Sequence, residues 1–331
     1  MSIFITHKSA LEYWRSHGMA QVDYKRRQRY RVPPSNSPDI SRVKLLNAQG
    51  ISYPVNTMVS VPDAKRRSRF VESHVMCEAL PEGCIIDVGD GLLVSSPEFC
   101  FFQMAQRLSF VELVQLGLEL CGSYSLLVNG AVYKDPGIVE RGFIDRPALT
   151  SQAKLSNFLA HMEGLLGQRR LSRPLRYIRD NSASPMETTL FLLLTLPYKY
   201  GGYGFSMPEL NAIIKPAKSA KKISSKQSFR CDLFWPEFDV AVEYDSDKHH
   251  SGPEQITQDS MKRNSLIAIG VTVITVTNRQ IRNTIEFEKI VKQLAINLGR
   301  RLRHNENPRF TKVHHQLRIQ LGLKIASQKH S

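Results

Sequence analysis

Nothing in this sequence is apolar for long enough to cross a bilayer: the longest such run is "LFLLLTLP", Leu190 to Pro197, where about 20 residues are needed. The N-terminus "MSIFITHKSALEYWRSHG" has no long apolar region of the kind a secretory signal carries. There is no CxxC pair, and the five cysteines, Cys77, Cys84, Cys100, Cys121 and Cys231, are odd in number and sit among apolar residues. That argues against a disulfide framework and a cysteine zinc site, and favours free thiols in a reducing cytoplasm. The "GGYG" at Gly201 has no following Lys-Ser/Thr, so it is no phosphate loop. No internal repeat is visible. Acidic residues are also scarce: 30 Asp and Glu stand against 45 Lys and Arg, a net charge of +15 over 331 residues. Such an excess favours a polyanionic partner. No basic amphipathic helix with aromatic anchors stands out, so nucleic acid is expected rather than membrane.

What is present is ordinary globular material: 42% of residues are hydrophobic and 23% charged. The length has room for two domains. Residues 1–125 read as an α+β unit. It has a short opening helix, strand-like "ISYPVNTMVSVP", the hairpin "CIIDVGDGLLVSS" with Gly89 and Gly91 at its turn, and two capped helices. The second helix carries a capping box from Ser109 to Glu112. Two basic clusters, "YKRRQRYR" and "AKRRSRF", lie in this half. Residues 126–150 read as a linker rich in proline and glycine. A second unit is expected over 151–300, and a basic tail over 301–331.

The second unit is the informative one. Its order is a capped helix "SPMETTLFLLLTL", the strands "ELNAII", "FRCDLFW" and "DVAVEYD", a helix from about Pro253 to Ile269, and the strand "VTVITVT". The middle two strands form a hairpin turning near Pro236, a residue suited to turns. Either a two-residue or a four-residue loop gives the same register, with Asp232 opposite Glu243 and their Cβ atoms about 5 Å apart. Like charges so placed repel or hold a proton. A hard divalent ion such as Mg²⁺ removes the conflict, and screening at a solvent-facing edge is the plainer alternative. His249 and His250 follow at once, groups able to transfer protons near neutral pH.

The stretch "RCDLFWPEFDVAVEYDSDKHH" with "QDSMKRNSLIAIGVTVITVT" resembles the PD-(D/E)XK nuclease superfamily, in its Vsr-like (very-short-patch-repair-like) branch, over residues 184–280. The resemblance implies an α/β, restriction-endonuclease-like αβββαβ core with a mixed sheet. It implies a metal-dependent endonuclease using Mg²⁺, with Mn²⁺ as a substitute. The matching positions are Glu187, Asp232, Glu243, Asp245, His249 and His250, followed by Asp259, Lys262, Arg263 and Gly270. Asp232, Glu243 and Glu187 would hold the metal. The lysine that the superfamily places two residues after its second acid is Asp245 here, a departure the Vsr-like branch shares by using histidine. That departure also permits a second reading: a non-catalytic DNA-binding regulator that keeps the fold.

The loop "KPAKSAKKISSKQSFR" holds six cations and no acid: Lys215, Lys218, Lys221, Lys222, Lys226 and Arg230. With Lys262 and Arg263 these are the expected contacts to DNA phosphates, although RNA offers the same phosphates. Lys262 and Arg263 also suit a merely solvated helix face. In the first unit "YPVNTMVSVPDAKRRSRFVESHV" and "GLLVSSPEFCFFQMA" resemble proteins of the AbiE-type antitoxin group. That implies a DNA-binding or regulatory module and a toxin, antitoxin or phage-defence partner.

Overall fold

The computed structural model describes residues 2–18, 30–128, 136–162, 168–215, 228–245, 253–302 and 307–323. It is a mixed α/β structure that divides into two compact units, Met1–Asp180 and Asn181–Ser331. No helix among the described residues is long and apolar enough to cross a membrane.

In the first unit the elements run β1 (Ile3–Ile5), α1 (His7–His17), α2 (Ile40–Ala48), β2 (Val55–Val59), β3 (Val71–Val75), β4 (Ile85–Gly89) and β5 (Leu92–Ser95). They continue with α3 (Pro97–Met104), α4 (Phe110–Leu120), β6 (Tyr124–Leu126), α5 (Pro136–Arg141), β7 (Phe143–Asp145), α6 (Gln152–Ala160) and α7 (Gln168–Leu171). A five-stranded sheet has the order β3-β2-β1-β5-β4. The short β1 lies at its centre, parallel to β5 and antiparallel to β2. All three β1 residues are buried, so it reads as continuous apolar sequence and not as alternation. The β4–β5 turn takes Gly89, Asp90 and Gly91 through positive φ, which is why glycine stands there. Ser96 and Ser109 cap α3 and α4, the latter with the complete capping box.

The boundary between units falls at Asp180, later than the expected one near residue 150. The cause is packing on the first unit, where Ile178 lies against Gly117 and aromatic rings meet. Phe158 on α6 meets Phe99 at 6.3 Å between ring centroids, and Tyr177 meets Phe110 edge-on at 5.7 Å. Segment 151–180 therefore completes the core of the first unit.

The second unit runs α8 (Pro185–Thr195), β8 (Glu209–Ile214), β9 (Phe229–Trp235), β10 (Val240–Asp245), α9 (Pro253–Ala268), β11 (Thr272–Thr277), α10 (Asn278–Arg282), α11 (Thr284–Asn297) and α12 (Pro308–Gln320). Its sheet order is β11-β10-β9-β8. β8, β9 and β10 are antiparallel neighbours and β11 is parallel to β10, so the sheet is mixed. The parallel pair requires a crossover, which α9 provides. Leu266 on α9 packs with Cys231, Phe234, Ala241 and Val271 in the core beneath the helix.

The C-terminal segment is not simply a basic tail. Phe310, His314, Leu317 and Leu321 lie on one helical stripe and are buried. The Phe310 ring meets Tyr203 at 5.5 Å and Tyr198 at 5.7 Å. His314 Nδ1 is 2.7 Å from the Gly201 carbonyl. The buried Arg318 guanidinium donates to the carbonyls of Ile281 and Arg282. Charge dominates the composition of this stretch, but its apolar spacing decides where α12 sits.

Candidate active site

The site begins with the β9–β10 hairpin. Pro236 to Asp239 form the turn, and Asp239 has φ 51°, a left-handed conformation that Asp tolerates. The ladder pairs Val240 with Trp235, Ala241 with Phe234 and Val242 with Leu233, the register that the turn symmetry predicts. One further step brings Asp232 level with Glu243, and there the backbone ladder gives way to a side chain. The Tyr244 N–H donates to Asp232 Oδ2 at 2.8 Å. Burial pushes the Asp232 carboxyl up to about 7, and the Glu243 and Glu187 charges add to the effect. The Tyr244 hydrogen bond and the Lys262 cation oppose it.

Lys262 reaches the site from α9, with Nζ 2.6 Å from Glu243 Oε2. The other Glu243 oxygen, Oε1, is buried and receives no N–H or O–H donor among the described residues. The thiol of Cys231 is close enough to this carboxylate that burial and the Glu243 charge together raise its pKa strongly. Beside these groups is a cavity of about 180 Å³ lined by Glu243, Asp245, Lys262, Arg263 and Thr275. The structure thus brings Asp232, Glu243, Asp245, Lys262 and Arg263 to one end of the sheet. Asp245 is exposed at the last residue of β10, and Arg263 is exposed on α9.

Glu187 is buried in the first turn of α8, where the Ser184 hydroxyl accepts from its N–H. Its Oε2 accepts from the Ala183 N–H at 3.0 Å and from Asn211 Nδ2 at 2.7 Å. Asn211 also donates to the Asn181 carbonyl at 2.7 Å and accepts from Arg230 Nε at 2.6 Å. Glu187 therefore acts on Asp232 as a braced negative charge. Asn211 is the residue that sequence reasoning missed. It is buried within β8 at φ 50°, and the only signal in the chain is that Asn accepts that conformation more readily than its apolar neighbours.

Lys215 is exposed just beyond β8. His249, His250, Lys218, Lys221, Lys222 and Lys226 lie outside the described residues, as does the side chain of Asp259. Among the described residues no group of three or more His, Cys, Asp or Glu is placed to hold a metal ion. The pair Asp232 and Glu243 nonetheless suits a hard divalent cation. Such an ion needs only one or two protein carboxylates, with water and phosphate oxygens completing its shell. Lys262 offsets one of the two charges, while the raised Asp232 carboxyl marks the one left over. Comparison of the chain with protein-family models, curated proteins and solved structures finds no match.

Proposed function

We propose that the protein is a Mg²⁺-dependent endonuclease that hydrolyses DNA phosphodiester bonds, with Mn²⁺ able to substitute. The observation that carries this reading is the convergence of Asp232, Glu243 and Lys262 at the open end of the β9–β10 hairpin. Two carboxylates held together at the cost of a raised pKa are poor stabilisers, and such groups cluster at functional sites. The element order α8-β8-β9-β10-α9-β11 supports assigning this unit a restriction-endonuclease-like core of the PD-(D/E)XK kind, in its Vsr-like branch.

In this mechanism Asp232 and Glu243 hold the ion, and Glu187 fixes the local charge from the adjoining layer. When bound, the ion supplies Lewis acidity toward the phosphate and a more acidic water. Lys262 brings to Glu243 the cation that position 245 lacks, orienting that carboxylate and drawing an anionic phosphate toward it. His249 or His250 delivers the proton to the leaving oxygen. Arg230, Arg263, Lys215 and the cations of the following loop (Lys218, Lys221, Lys222 and Lys226) hold the DNA backbone without reading its sequence. The first unit, with its AbiE-like stretches, serves as a DNA-binding or regulatory module, and a toxin, antitoxin or other defence component is its expected partner.

Calorimetric titration with Mg²⁺ tests the site directly. Wild type is expected to bind one ion, and Asp232→Asn and Glu243→Gln are expected to lose it. Undiminished binding in both variants removes these carboxylates from the metal site.

A further inference from the structure

A second cavity in the Asn181–Ser331 unit, about 530 Å³, lies away from the carboxylates. Its walls include Tyr198, Phe205, Ser206, Phe238, Arg300 and Arg301. That volume is within the range of small-molecule sites, which combine aromatic walls with a few fixed polar groups. Among the described residues no acidic one lines it. Arg300 is held in place: its guanidinium sits over the Phe205 ring, 5.2 Å from the centroid, and donates to the Gly204 carbonyl. Arg301 is exposed beside it. Phe238 occupies the β9–β10 turn and is 42% exposed, a large ring left open at the mouth of a cationic cavity.

The open Phe238 ring beside fixed positive charge fits one chemical class well, an aromatic base carrying a phosphate. Aromatic rings stack on any base, and arginine takes the adjoining phosphate. The hairpin that carries Phe238 in its turn also carries Glu243, five residues further on and within β10. Fully extended chain would put the two backbones at most about 17 Å apart, a span of a few nucleotides. We propose that this cavity seats an unpaired base of the nucleic-acid strand and so sets the distance from that base to the point of cleavage. The proposal rests on the nucleic-acid reading above but not on cleavage itself.

The test is fluorescence anisotropy of the full chain with a labelled single-stranded octanucleotide in EDTA, so that nothing is cut. Phe238→Ala is expected to weaken binding roughly 5- to 100-fold, the range for losing one base-stacking ring. Phe238→Leu is expected to weaken it comparably, because it restores apolar area without a stacking face. Arg301→Ala is expected to flatten the log–log salt slope by about 0.7, one single-strand phosphate. A blunt duplex is expected to respond to Arg301→Ala and not to Phe238→Ala. Unchanged octanucleotide binding by Phe238→Ala, or wild-type binding by Phe238→Leu, overturns the proposal. So does a free mononucleotide that competes as well as the octanucleotide, since the cavity would then serve a soluble nucleotide. Failure of wild type to bind any oligonucleotide sinks this proposal together with the nucleic-acid reading. Phe238-dependent binding by a protein that cuts nothing in Mg²⁺ upholds the cavity and removes only the nuclease.

Discussion

Asp232→Asn should stabilise the metal-free second unit at pH 8 while disabling it. The Asp232 carboxyl rises from 3.8 to about 7 in the folded chain. Below pH 4 it is protonated in both folded and unfolded states and contributes no difference. Between pH 4 and 7 the unfolded chain ionises first, so stability is lost as pH rises through the folded value, and above 7 the loss is complete. Each tenfold gain in proton affinity is worth about 1.4 kcal/mol, so the ceiling is about 4 kcal/mol. Asp232 is only half-buried, and solvent screening lowers that figure, so about 2–3 kcal/mol is expected. Asn keeps an oxygen to accept the Tyr244 N–H, so the substitution removes charge and little else. Urea unfolding can be followed by Trp235, buried on β9 with its indole N–H on the Ser206 carbonyl, in a Trp14→Phe background. The Asn variant should exceed its parent at pH 8 and approach it near pH 4. Added Mg²⁺ should stabilise only the parent and narrow the gap. Equal stability at pH 8, or a gap independent of pH, refutes the strained carboxylate pair.

Other consequences follow from the same geometry. Lys262→Met removes a charge that lowers the Asp232 pKa, so the acid limb of the cleavage profile should move to higher pH, as a pH–rate series will show. Replacing His249 and His250 together with Ala should slow cleavage roughly 10²- to 10⁴-fold and leave Mg²⁺ affinity in place, read by single-turnover kinetics and calorimetry. Leu317→Ala, deep under α12, should cost about 2–5 kcal/mol in urea unfolding, an effect a detached tail could not produce. Gly201→Ala should be at least as damaging, because its Cβ would fall 2.5 Å from the Val313 carbonyl oxygen at φ 87°.

The hairpin register was legible in the sequence because a turn, a proline and strict pairing are local facts. The serine caps at Ser96, Ser109 and Ser184 were legible for the same reason. What tertiary packing decides was not. β1 is three apolar residues with no alternation to detect, and segment 151–180 joins the first unit through rings and other side chains that meet in space. Over 301–331 the basic composition hid the Phe310–Leu317–Leu321 stripe. At the site, Lys262 reads as one more cation on a solvated helix until the α9 crossover brings it to Glu243. Asn211 reads as a strand residue until its amide is seen joining Glu187 to Arg230.

The most direct measurement is nicking of supercoiled plasmid by wild type and Asp232→Asn, in Mg²⁺ and in Mn²⁺, with a chelator control. The account predicts metal-dependent conversion to open circles by wild type and none by Asp232→Asn, although both bind the plasmid. Equal cutting by the two proteins, or none by wild type in either metal, contradicts it.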